Sequence, residues 1–148
     1  MVLKLKINII GRVENKINIS DKFQAENVVS RIIIDNKYNE ALDGIEEFSH
    51  LMIIFWLDRV KDEDRRVLKV HPKGNPSNPL TGVFATHSPL RPNPVGVTVV
   101  QLLKRDKNII TVKGLDAING TPILDIKCYI PIKDIDRRAK VPDWVCTR

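Results

Sequence analysis

Strand-like runs follow one another along this chain with almost nothing helical between them, and that succession limits the folds open to it. The run "LKLKINI" alternates strictly, with Leu3, Leu5, Ile7 and Ile9 on one face and Lys4, Lys6 and Asn8 on the other. Such alternation predicts a half-buried strand. "VVSRIII" at 28–34 is β-branched and predicts a second. "SHLMIIFWLDRV" at 49–60 is apolar on both faces for most of its length. It suits a central strand, although a buried helix fits its periodicity nearly as well. "VLKVHP" (67–72) and "TGVFATHS" (81–88) predict strands on either side of a Pro/Gly/Asn loop. "VGVTVVQLLK" and "NIITVKGL" flank "RDK" as a hairpin, and "TPILDIKCYIP" is the last clear strand. Residues 14–27 are polar, lack a period and read as a loop.

Helical spacing is confined to Tyr38, Ala41, Leu42 and Ile45, with Asn36 as the N-cap and Gly44 at the end. Roughly seven or eight short strands and one short helix argue for a mainly all-β fold, a small antiparallel β-barrel, over a parallel doubly wound sheet. No GxGxxG turn is present to support a nucleotide-binding sheet. At 148 residues the barrel is expected to be a single domain, 1–148.

No apolar run approaches the length of a membrane span, the longest being "LMIIFWL" at 51–57. The alternating N-terminus does not read as a signal peptide. Cys128 and Cys146 have no pairing motif and are expected to be reduced thiols in a cytoplasmic protein. Spacing of His50, His71 and His87 gives no metal motif, and there is no CxxC, GxSxG or Walker-type loop. The formal charge of +6 suits a polyanion such as RNA, or else a generally basic, soluble surface. Basic residues cluster at Lys4 and Lys6, at Arg65 and Arg66, and at Arg137, Arg138 and Lys140.

Two stretches carry the candidate chemistry. In "GVFATHSPLRPNPVG" three prolines stiffen a polar loop, and Ser88, Arg91 and Asn93 each precede one. Either this is a rigid crossover between strands, or it presents polar groups in fixed positions. In "GLDAINGTPILDIKCYIP" the alternation places Leu124, Ile126, Cys128 and Ile130 on one face of a strand and Ile123, Asp125, Lys127 and Tyr129 on the other. That row lines a polar cleft, or it is a solvated face with a cross-strand ion pair. The preceding "NGTP" turn offers backbone N–H groups and the Thr121 hydroxyl to a ligand.

Together, "EEFSHLMIIFWLDR", "GVFATHSPLRPNPVGVTVVQLL" and "GLDAINGTPILDIKCYIP" resemble the signature blocks of the TsaA-like (TrmO) family, from about Lys6 to the C-terminus. The resemblance implies a small β-barrel that uses S-adenosyl-L-methionine to methylate N6 of the threonylcarbamoyl-modified adenosine beside the tRNA anticodon. It further implies a homodimer with the cofactor near the subunit interface. By position it assigns cofactor contacts to Asp58, Arg59, His87, Val97, Asn119, Gly120, Thr121 and Pro122, and more loosely to Gln24 and Ala25. Three positions depart from the family pattern: His87 for arginine in F-A-T-R-S, Asn119 for aspartate in D-G-T-P, and Cys128 for proline in K-P-Y. Longer members also carry a C-terminal domain not included in these 148 residues.

Exocyclic N6 is a poor nucleophile, so a hydrogen-bond acceptor that takes its proton would help. Asp125 is the candidate, with Arg91, Asn93, Lys127 and Tyr129 as candidate substrate contacts. The rival readings are a non-catalytic cofactor- or RNA-binding module and a methyltransferase of a small metabolite.

Overall fold

The computed structural model describes residues 3–19 and 21–146, the side chain of Cys146 excepted. The alternating segments close into a barrel, but the strands begin later than the alternation suggests. Strand β1 is Gly11–Glu14, β2 Val29–Ile34, β3 His50–Trp56, β4 Lys69–Val70, β5 Thr81–Gly82, β6 Val95–Asp106, β7 Ile109–Lys113 and β8 Pro122–Cys128. Six of them close in the order β1-β2-β7-β6-β3-β8, every pair antiparallel. The chain divides into two compact units, one of Met1–Arg59 with Pro94–Tyr129 and one of Val60–Asn93 with Ile130–Arg148.

The first unit is the barrel. Alternate residues of each strand point inward, so Val13, Ile32, Leu51, Ile53, Phe55 and Ile123 are all buried. Gly96 of β6 sits opposite Phe55 of β3, and the Phe55 ring fills the space that a Cβ on Gly96 would need. Gly11 is similarly constrained, since a Cβ there would run into the Ile33 carbonyl oxygen. At one end, Arg105 donates from Nη1 to Leu42 O (3.1 Å) and from Nη2 to Asn39 O (3.4 Å). Its Nε meanwhile donates to Lys107 O at 2.8 Å.

The second unit has a two-stranded ladder, β4 with β5, and two single-turn helices, α1 Pro131–Asp134 and α2 Asp143–Cys146. Lys73 Nζ donates to Val145 O at 3.0 Å, joining its two chain segments.

Four local expectations need correction. Residues 3–9 form no strand, and Leu3, Leu5, Ile7 and Ile9 are exposed, because no neighbouring strand pairs with them. The helical pattern at 38–45 becomes two 3-10 segments, Asn36–Leu42 and Ile45–Glu47, broken by Gly44 at φ +85°. Its N-cap is Asp35, whose carboxylate accepts from Lys37 N at 3.2 Å, and not Asn36. In 81–88 only Thr81–Gly82 is strand. Val83–Ala85 turns into a 3-10 segment because Thr86 bonds back to Val83 O through both N (3.1 Å) and Oγ1 (2.8 Å). Finally, "VLKVHP" is strand only over Lys69–Val70. Cys128 is a free, partly buried thiol; the expectation for Cys146 lies outside the described residues.

Candidate functional site

Within the barrel unit, the strand directions gather several of the sequence-derived positions at one end. β3 ends there at Trp56, β6 starts at Val95, and β8 starts at Pro122. Asp58 and Arg59 follow β3, Asn119–Thr121 precede β8, and Val97 lies near the start of β6. Gln24 and Ala25 lie just before β2, which begins at this end too, since Val29 pairs with Lys113, the last residue of β7.

The Asn119–Thr121 turn is fixed from three sides. Gly120 adopts φ +84°, a left-handed conformation that favours glycine. Its N–H donates to Val13 O at 2.8 Å, and Asn119 N donates to Ile17 O at 2.9 Å. Thr121 is buried and donates Oγ1–H to Ile118 O at 2.8 Å, so its hydroxyl proton is engaged within the turn. The Asn119 side chain is committed as well, its Oδ1 accepting from Asn15 N at 3.1 Å. Asn15 in turn donates Nδ2–H to Ser30 Oγ and Ala117 O, at 3.0 and 2.9 Å. This buttress of asparagines escaped the sequence reading, because Asn15 lies in a stretch with no period.

Arg59 reaches this turn. A Cβ placed on Gly120 would be 3.8 Å from Arg59 Nη2. Arg59 Nε is 3.6 Å from Asp58 Oδ2, and both side chains remain partly open to solvent. A cation, with a carboxylate close to it, therefore stands beside a bare glycine backbone. Such a set complements a zwitterionic amino-acid group, with Asp58 for the ammonium and Arg59 for the carboxylate.

The β8 row is shorter than the alternation predicts: the register with β3 shifts between Ile54, opposite Asp125, and Phe55, opposite Ile123, so Ile123 is buried in the core while Asp125 and Lys127 stay partly open to solvent. Asp125 Oδ2 is 3.2 Å from Lys127 Nζ, and its Oδ1 accepts from Ile126 N at 2.9 Å. The ion pair thus forms within one strand. Tyr129 lies farther along, its ring edge-on to His50 with centroids 6.3 Å apart. At about 3.3 Å per residue the row from Asp125 to Tyr129 extends roughly 13 Å along the strand direction, away from the Asn119–Thr121 turn. Near its far end a depression of about 330 Å³ is lined by Leu42, Ile45, Glu47, Phe48, Ile126 and Cys128.

In the second unit the proline loop is braced by its own side chains. Thr86 Oγ1 accepts from Ser88 N at 3.1 Å, and Ser88 Oγ accepts from Leu90 N at 3.2 Å. Arg91 Nη1 donates to Thr86 O (3.2 Å) and Ser88 O (3.1 Å), so this arginine turns back onto the loop. Arg65 Nε donates to Pro92 O at 2.8 Å. Arg65, one member of a basic cluster in the sequence, thus braces the loop. His87 and Asn93 are exposed.

Among the described residues no group of three or more His, Cys, Asp or Glu is placed to hold a metal ion. None of the described helices is long and apolar enough to cross a membrane.

A family model described as the tRNA-methyltransferase O N-terminal domain matches residues 15–135. The "Probable S-adenosyl-L-methionine-binding protein" of Methanocaldococcus jannaschii is 44% identical over 107 residues, covering 72% of this chain and 84% of its own length. The "S-adenosyl-L-methionine-binding protein" of Archaeoglobus fulgidus is 41% identical over 103 residues, 70% of each chain. The crystal structure of TrmO from Pseudomonas aeruginosa matches with a TM-score of 0.76 at 25% identity, over 97% of this chain and 63% of that one. The present chain therefore spans a little under two thirds of that longer protein.

Proposed function

Because this chain belongs to the tRNA-methyltransferase O N-terminal domain family, we propose that it binds S-adenosyl-L-methionine and methylates N6 of the threonylcarbamoyl-modified adenosine beside a tRNA anticodon. The observation that carries the cofactor assignment is the cluster of Asp58, Arg59 and the left-handed Gly120 at one end of the barrel. Its charges match the methionine moiety, and the missing Cβ leaves the Gly120 backbone open to close approach. When bound, the cofactor supplies a methyl group already activated on a sulfonium.

The protein's own contribution is placement and proton handling. In this reading Asp58 takes the ammonium and Arg59 the carboxylate, while Asn119–Pro122, Val97, Gln24 and Ala25 shape the surroundings. His87 keeps the cofactor contact that the resemblance gives it. Asp125 accepts the N6 proton, with Lys127 directing its carboxylate. Arg91 serves by shaping its loop, and Asn93 by meeting the substrate. We propose a homodimer as the working form, which sedimentation would test.

The experiment is methyl transfer from labelled cofactor to total tRNA by the purified protein, with nucleoside mass spectrometry of the product. Cofactor binding without transfer to any RNA would favour a binding module. Transfer to small metabolites but not to tRNA would favour the metabolite reading.

A further inference from the structure

Charge is divided unevenly between the two units. The second unit holds eleven Lys and Arg against six Asp and Glu, whereas the barrel unit holds thirteen against twelve. Almost all of the +6 net charge therefore belongs to the second unit. Lys61, Arg66, Lys69, Arg137 and Lys140 are exposed there. Two of its six acids are already paired with arginines, Asp136 with Arg138 at 3.0 Å and Asp62 with Arg65 at 3.6 Å.

The same unit holds an aromatic ring out in water. Phe84 is 79% exposed, although the residues around it are anchored. Val83 is buried and its N–H donates to Leu68 O at 3.0 Å; Thr86 is buried and bonds twice to Val83 O. Phe84 thus projects from a clamped turn. Lys69 is paired with Gly82, two residues before it, and His87 follows three residues after it. An apolar ring that projects from an anchored turn, in a unit of net positive charge, is suited to stacking on an unpaired nucleobase.

We infer that the second unit is where this chain holds RNA, and that Phe84 is the platform on which an unpaired base stacks, with Lys69 and Arg66 meeting phosphates. The nature of the ligand rests on the RNA-directed reading above; the charge division and the clamped ring are separate observations.

Fluorescence anisotropy with a labelled single-stranded RNA and with tRNA tests this, using Phe84→Leu, Phe84→Trp and Lys69→Gln. Phe84→Leu keeps an apolar side chain without a stacking face, and it should weaken RNA binding by about 5- to 100-fold. Its salt slope should stay unchanged, because no phosphate contact is lost. Phe84→Trp should restore binding, and its fluorescence should be quenched by RNA. Lys69→Gln should instead lower the salt slope by about 0.7 to 0.9. Circular dichroism melts of all variants should coincide with the parent.

Equal affinity of Phe84→Leu and parent would overturn the inference, as would a change in sedimentation on Phe84→Leu, which would mark a protein contact. A stacking effect without methyl transfer by the parent would remove the methyltransferase reading and leave this inference standing. Transfer with no effect of Phe84→Leu would do the reverse.

Discussion

Gly96→Ala adds a single methyl group where β6 passes Phe55, and its effect on stability has a sign that the structure decides. In an open strand the change would help, because glycine in a strand interior costs roughly 0.5–1 kcal/mol relative to alanine. Here the new Cβ would overlap Phe55 Cε2 and Cζ and lie 2.9 Å from Cδ2. The ring is buried inside the barrel, at 3% exposure, so a shift of it must displace side chains of a close-packed core. Overpacking of this kind costs about 1–3 kcal/mol, with an off-rotamer ring making up part of that. The net expectation is a destabilisation of about 1–2 kcal/mol. For a domain of this size that lowers Tm by about 3–6 °C. Urea unfolding followed by circular dichroism gives the free energy, and a thermal melt gives the shift. Phe55→Leu in the Gly96→Ala background should recover part of the loss, so the double-mutant cycle should show a coupling of about 0.5 kcal/mol or more. A Gly96→Ala protein as stable as the parent, or additive effects in the cycle, would refute the account.

Arg105→Met keeps the aliphatic stem but removes the donors to Leu42, Asn39 and Lys107; urea titration should show a loss of about 2–3 kcal/mol. Arg65→Lys cannot reproduce the Nε bond to Pro92 O, so methyl transfer should fall about tenfold in kcat/KM, while the melting curve stays close to the parent's. Asp125→Asn should leave cofactor affinity by calorimetry unchanged and slow single-turnover transfer by about 10²-fold or more.

The sequence was most legible where alternation and turn chemistry agree. The hairpin of β6 and β7 is read from "VGVTVVQLLK", "RDK" and "NIITVKGL" because both strands have neighbours to fill the pattern. "LKLKINI" alternates as clearly and yet forms no strand. Alternation states which side chains share a face, and it carries no information on whether a partner strand exists. Val83–Ala85 failed for a different reason. Its β-branched and aromatic residues favour a strand, but the Thr86 hydroxyl satisfies Val83 O locally and closes a turn instead. Of the candidate site, Asp58, Arg59 and Asn119–Pro122 were placed by resemblance to known motif blocks. The Asn15 buttress and the inward turn of Arg91 depend on long-range hydrogen bonds that no local pattern encodes.

The barrel's ladders are unequal in length, which bears on its motion. β3 and β6 are paired over seven residues, but β1 meets β8 through only two pairs, Gly11 with Ile123 and Arg12 with Pro122. A short ladder is where a sheet opens with least cost, so amide hydrogens along this seam should exchange with solvent ahead of those in β3. The Asn119–Thr121 turn leads directly into that seam and is tied to β1 by the bonds from Gly120 N to Val13 O and from Val13 N to Thr121 O. Each opening therefore frees one side of the turn. A molecule seated on the turn would favour the closed seam, and its binding would be read as slowed amide exchange at Val13 and Gly120.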